Sequence, residues 1–103
     1  IQMAEAALPE APSPQFRVAH SELAPDRSYF EAQVVLPGAD HPEIAAAPSE
    51  GLLLGKETRI ETDKGRLTLR YAIARLPADP DRATITLMVR SAGRAMETVL
   101  AVR

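Results

Sequence analysis

Few residues of this chain belong to the types that carry out chemistry. The 103 residues include two histidines, His20 and His41, and no cysteine. Without cysteine the chain itself can form no disulfide and supply no thiolate nucleophile or thiolate metal ligand, whichever compartment it occupies. The remaining candidates are histidines, carboxylates and hydroxyls, and each of these needs partners at a suitable spacing.

His20 is followed by Ser21 and Glu22, which are the residue types of a nucleophilic triad. A nucleophilic serine needs a neighbouring base that a carboxylate orients. Successive side chains of a strand point to opposite faces, and no G-x-S-x-G motif positions the serine. We therefore expect His20 to be a strand-end residue and no catalytic residue to lie here.

A metal site is conceivable where Asp40, His41 and Glu43 follow one another, because imidazole and carboxylate both ligate zinc. Three such residues within four positions are common by chance, so we expect no metal and no cofactor. A small enzyme or metal-binding β-domain that uses these residues remains one hypothesis for the function, beside the two given at the end of this section. Asp79 and Asp81 lie in a proline-rich loop, which favours a solvated turn over general acid catalysis.

Gly51 and Gly55 bracket an apolar run, which consists of Leu52, Leu53 and Leu54. The run lacks the G-K-[ST] ending of a phosphate-binding loop. It is typical of a strand or loop folded over the end of a sandwich. The alternative is an exposed apolar strip that meets a partner domain, and these leucines are our candidate interaction surface.

Composition excludes several classes of protein. The net charge is -2, and the twelve basic residues form no cluster, so we expect no nucleic-acid partner. No apolar run approaches the roughly 20 residues of a membrane-spanning helix, so we expect no membrane insertion of this segment. An apolar fraction of 46% and a charged fraction of 25% are typical of a globular domain. The length suits one domain.

Short segments in which apolar and polar residues alternate predict strands. They predict an all-β fold, an antiparallel immunoglobulin-like β-sandwich of about seven strands. The expected strands lie near 15–21, 28–36, 42–47, 56–62, 66–75, 83–90 and 95–102. Residues 1–14 contain three prolines and predict an extended interdomain linker, so the sandwich domain is expected over 15–103. One helical turn over 3–8 is the alternative for part of the linker.

The third segment has two interpretations. Pro42 suits the start of an edge strand, where its missing N–H costs nothing, and strand is our prediction for 42–47. Asp40 and Glu43 could instead cap a helical turn that Pro48 ends.

The apolar pattern also predicts the register of two hairpins, because residues opposite each other share a face. In the first, an even loop around Lys64 and Gly65 places Ile60 opposite Leu69 on the core face. A shift by one residue would place Arg59 against Leu69, and we reject it because a core does not tolerate such a charge.

In the last hairpin the same argument pairs Val89 with Met96 and Ile85 with Leu100. The loop is again even, and it is centred on Ala92 and Gly93.

Several of these residues resemble a known family. The features are Pro42-Glu43-Ile44, Gly51-Leu52, Gly55, the strand pair around Gly65, Thr86-Leu87, and Gly93-Arg94-Ala95 with Glu97. They are mostly turn glycines and strand apolars. They look like the periplasmic amino-terminal region of DsbD-like transmembrane thiol:disulfide interchange proteins, and in particular like the ScsB-type, copper-sensitivity-suppressor branch.

The resemblance implies a periplasmic sandwich in a protein that passes reducing equivalents from the cytoplasm to periplasmic substrates. The redox-active amino-terminal domain of that family uses a cysteine pair, and no position here can inherit that role. The resemblance therefore implies a non-catalytic domain that spaces or docks redox domains. Its partners would be neighbouring domains of the same parent chain or periplasmic redox proteins. The alternative is a generic immunoglobulin-like or fibronectin-like adhesion or accessory module of a bacterial envelope or secreted protein.

Overall fold

The computed structural model describes residues 9–38, 41–63 and 65–103. The strands are β1 (Arg17–Leu23), β2 (Tyr29–Val35), β3 (Glu43–Pro48), β4 (Leu53–Asp63), β5 (Arg66–Arg75), β6 (Thr84–Ser91) and β7 (Arg94–Ala101). A short 3-10 helix, Pro80–Arg82, joins β5 to β6. In this part of the chain no helix has the length and apolar character needed to cross a membrane.

The strands form two antiparallel sheets, with the orders β1-β2-β5-β4 and β3-β6-β7. This is the strand order of a constant-type immunoglobulin domain. The prediction of an all-β sandwich with about seven strands is confirmed. The third segment forms a strand, Glu43–Pro48, and not the alternative helical turn.

The core lies between the two sheets and comes from alternate residues of their strands. On β2, Phe30, Ala32 and Val34 are each 1% exposed, while Gln33 between them faces solvent. The largest fully buried side chains are Phe16, Phe30, Leu69, Ile85, Leu87, Met96, Val34 and Val89. Burying a side chain of this size stabilises the fold by about 2 kcal/mol relative to leaving it exposed.

The hairpin of β6 and β7 has the predicted register. Val89 pairs with Met96, and Ile85 pairs with Leu100. The two-residue loop has φ of 53° at Ala92 and 74° at Gly93, as a type I′ turn requires.

The register predicted for β4 and β5 is wrong over most of the strand pair. At the turn, Asp63 pairs with Arg66 around an even loop, in agreement with the prediction. The register then shifts by one residue between Glu61 and Asp63, and Arg59 lies opposite Leu69. Because of this bulge, the residues of β4 that precede it in the chain point to the face opposite to the predicted one. Ile60, which we placed in the core, is 42% exposed.

The segment before β1, residues 9–16, is fastened to the sandwich, and we call it the leading segment. The Glu10 N–H donates to the Ala95 carbonyl at 2.8 Å, and the Glu97 N–H donates to the Glu10 carbonyl at 3.1 Å. Phe16 is fully buried in the core. Part of the expected linker therefore lies along the edge of β7. The boundary between linker and domain stays a prediction, because residues 1–8 lie outside the described residues.

Candidate functional site

A polar network lies at the open side of the sandwich, where β4 ends one sheet. The Tyr71 hydroxyl donates a hydrogen bond to Glu57 Oε2 at 2.6 Å. Arg59 Nε donates to Glu57 Oε1, also at 2.6 Å. Both oxygens of this carboxylate are therefore engaged, by a phenol from β5 and by a guanidinium two residues along β4.

The network exists because the bulge in β4 turns charged residues toward the core face. Side chains of an edge strand lie at the margin of the sandwich, so long ones can reach water. The side chains of Arg59 and Glu57 are 40% and 27% exposed, whereas Tyr71 is buried. The strand thus keeps its charges partly hydrated while Leu69 beside it stays in the core.

Arg59 also connects the two sheets. Its Nη1 donates to the Pro42 carbonyl at 2.9 Å, immediately before β3. A charge-assisted hydrogen bond of this kind is stronger than one between neutral groups. The guanidinium therefore joins β4 of one sheet to the residue that precedes β3 in the other.

Burial changes the acidity of the phenol in this network. Desolvation, followed by the hydrogen bond to the Glu57 carboxylate, raises the pKa of the Tyr71 phenol far above its ordinary value of 10.0. The phenol therefore stays neutral and acts as a hydrogen-bond donor. Its role is to hold Glu57 in place.

A cavity of about 350 Å³ opens beside the network and is lined by His41, Pro42, Arg59, Glu61 and Leu67. His41 Nδ1 lies 3.9 Å from Glu61 Oε1, but these side chains are 97% and 65% exposed. An ion pair this exposed contributes little. The cavity offers a guanidinium, an imidazole and a carboxylate to a small polar group.

Two of the three residues that we considered for metal binding, His41 and Glu43, lie in the described part of the chain. No group of three histidines or carboxylates in the described ranges could hold a metal ion. Glu43 lies on β3 opposite Arg90, and His41 faces Glu61. Asp40 lies outside the described residues.

The residues of the conceivable triad are likewise not brought together. His20 and Glu22 share the outer face of β1, with His20 Nε2 3.7 Å from Glu22 Oε1. Ser21 pairs with the buried Ala32, on the inner side of the same sheet. Asp79 forms an exposed ion pair with Arg82 at 3.3 Å, at the short 3-10 helix.

The three leucines that we proposed as an interaction surface do not share a face. Leu52 is 2% exposed and belongs to the core, and Leu54 is half-buried against it. Only Leu53 among the three is exposed, at 51%. Leu52, which precedes β4, is too buried to line a continuous apolar strip, and Leu54 packs partly against the core. A contact between Leu53 and a partner stays a prediction.

The leading segment carries a second polar cluster. Arg94 Nε donates to Glu10 Oε2 at 3.2 Å, and Arg94 Nη2 donates to Glu10 Oε1. The same guanidinium lies over the Phe16 ring, 5.5 Å from its centroid. The hydrogen bond from Arg94 lowers the pKa of the Glu10 carboxyl below its ordinary value. These contacts fix the direction in which the chain approaches the sandwich.

Sequence reasoning missed both clusters. The predicted register keeps Arg59 away from Leu69, because the bulge that turns Arg59 and Glu57 inward has no clear signature in the sequence. Glu10 was placed in a linker because of the prolines around it. One signal was present, since three charged residues alternate with Thr58 and Ile60 along β4 and could occupy either face.

Comparison with known proteins identifies no relative. No protein-family model, no curated protein and no solved structure matches this chain.

Proposed function

We propose that this chain is a non-catalytic, immunoglobulin-like spacer and docking domain of a DsbD-like, ScsB-type thiol:disulfide interchange protein, located in the periplasm. It works beside redox domains of the same parent chain or beside periplasmic redox proteins. The domain sets the distance and orientation between the redox domains, and the cysteine chemistry takes place in those partners.

The observation that carries the spacer role is the attachment of the leading segment to β7. Two backbone hydrogen bonds at Glu10 and the ion pair with Arg94 tie this segment to the sheet edge. A free proline-rich linker would let a preceding domain sample many directions. A fastened segment narrows those directions, which is what a spacer between two reacting domains requires.

The family part of the proposal is tested by the sequence of the parent gene product. A block of membrane helices with paired cysteines is expected downstream. Repeated sandwich modules without paired cysteines would overturn it.

The spacer role is tested in the parent protein by replacing this domain with a flexible Gly/Ser linker of equal length. The expected result is slower reduction of a periplasmic disulfide substrate, with unchanged reactivity of the separate redox domains toward a small dithiol. An unchanged rate in the linker variant would refute the spacer role, whatever the family.

The second candidate function is a generic adhesion or accessory module of a bacterial envelope or secreted protein. The observation in its favour is a sheet edge on β3 that can pair with another chain. Such a module would bind its partner with no redox domain in the parent protein.

A further inference from the structure

We infer that the edge of β3, which no strand in the described part of the chain covers, is a docking site for an extended peptide segment, which adds to the three-stranded sheet as a further strand. This inference assigns a site to the docking role proposed above. It rests on that proposed function only for the kind of protein that supplies the segment. The geometry of the edge is independent of the parent's identity.

The hydrogen bonds of β3 show which of its backbone groups point away from β6. The Ser49 N–H donates to the Thr84 carbonyl at 2.9 Å, at the end of the β3–β6 ladder. In an antiparallel ladder alternate residues direct both backbone groups to the partner strand. The odd-numbered residues of β3 therefore bond to β6. Ile44 and Ala46 direct their N–H and C=O groups away from the sheet.

The other sheet edges carry features that disfavour pairing with a further strand along their whole length. β1 has a register shift between Val18 and His20, and β4 has several shifts along its length. Glu57 and Arg59 are inward-pointing charges on β4, and the edge of β7 is bonded to Glu10. Bulges, inward charges and covering segments are the means by which proteins protect edge strands. β3 pairs with β6 without any register shift.

Two prolines define the length of the open edge. The Pro42 carbonyl already accepts a hydrogen bond from Arg59, and Pro48 has no N–H to donate. Between them Ala45 and Ala47 are small and exposed on the outer face, so they leave the backbone accessible. The edge can thus pair with about five residues of an incoming strand. Variable-type immunoglobulin domains place an additional strand at this position.

The side chains beside the edge define the chemistry of the incoming segment. A depression of about 280 Å³ is lined by Ile44, Ala45 and Met88, with Glu43 and Arg90 at one end. An apolar side chain opposite Ala45 would cover this apolar floor. A basic side chain opposite Glu43 would continue a row of alternating charge that begins with Arg90 on β6. In antiparallel pairing the basic residue follows the apolar one by two positions.

The test uses the 103-residue chain labelled for NMR and the probe peptide acetyl-Thr-Thr-Val-Thr-Lys-amide at millimolar concentration. The amide signals of Ile44 and Ala46 are expected to shift. A matched probe with Glu in place of Lys is expected to bind about twofold to fivefold more weakly, the range of cross-strand charge pairs.

Three variants test whether the peptide binds at this edge. Ala46→Pro removes an outward N–H and should abolish the shifts. Val99→Pro, at an outward-facing position of β7, should leave them unchanged. Glu43→Lys should reverse the preference between the two probes, and it covers the case in which Ala46→Pro does not fold.

Three results would overturn the inference. The first is an absence of amide shifts with either probe, and the second is a set of shifts centred on β7. The third is a concentration-dependent shift of Ile44 and Ala46 without peptide, which would identify a second copy of the chain as the occupant. None of them affects the spacer role, which is measured in the parent protein.

Discussion

Arg59 lies directly across the strand pair from Leu69, on the face of the four-stranded sheet that packs the core. Leu69 is fully buried, whereas the guanidinium reaches past the sheet to the Pro42 carbonyl. The pairing works because β4 is an edge strand, so a residue on its inner face still has access to water. The edge strand tolerates a charge that the central strand beside it would not.

This pairing predicts unequal effects for two apolar truncations. Leu69→Ala should lower the free energy of unfolding by about 3 kcal/mol, because it opens a cavity in a fully buried site. Ile60→Ala should cost less than about 1 kcal/mol, because this side chain is 42% exposed. Urea denaturation of both variants measures the difference. Equal losses would support the register in which Ile60 belongs to the core.

The strands and one hairpin register follow from the alternation of apolar residues. Leu87 and Val89 could be assigned to the core because every second residue of β6 is apolar, and the pairing with β7 has no bulge. The turn at Gly65 was also correctly predicted as an even loop. Alternation predicts a face only while the register is unbroken, so it failed beyond the bulge.

The candidate sites could not be predicted to the same degree. The bond between Arg59 and Pro42 joins residues from different sheets, and that between Glu10 and Arg94 spans almost the whole chain. Such pairs depend on how the sheets stack. Local pattern carries no information on that packing.

The Tyr71 phenol should make stability depend on alkaline pH. Its pKa is raised in the folded state above the unfolded value, so the unfolded chain loses this proton first. The stabilisation is fully present below about pH 10, and the free energy of unfolding falls above it by up to about 1.4 kcal/mol per pH unit. Urea titrations between about pH 8 and about pH 11 measure this fall.

Tyr71→Phe tests the same group directly. It should remove this part of the fall and cost about 1 kcal/mol at neutral pH, through the lost hydrogen bond to Glu57. Tyr29→Phe is the control, and it should retain the contribution of Tyr71. A wild-type slope in Tyr71→Phe would contradict the assignment.

The ion pair of Glu10 and Arg94 should control the attachment of the leading segment. The hydrogen bond from Arg94 lowers the pKa of Glu10, so the attachment is present above the ordinary value of 4.5 and is lost as pH falls through the lowered one. The Glu97 amide, which donates to the Glu10 carbonyl, reports this change through its NMR shift. Arg94→Ala should remove the acid transition and reduce protection of this amide from hydrogen exchange several-fold, while Arg75→Ala should not. Full protection in Arg94→Ala would show that the backbone bonds suffice.

The turn between β6 and β7 predicts opposite effects for two exchanges between alanine and glycine. Ala92 holds φ of 53°, a conformation that costs an alanine about 1 kcal/mol, so Ala92→Gly should raise the thermal midpoint by up to about 6 °C. Gly93→Ala should lower it by a similar amount, since φ there is 74°. A Cβ at Gly93 would meet no atom within 4 Å, so this loss isolates the backbone cost. A lower midpoint in Ala92→Gly would show that unfolded-state entropy or contacts of the Ala92 methyl outweigh its strain.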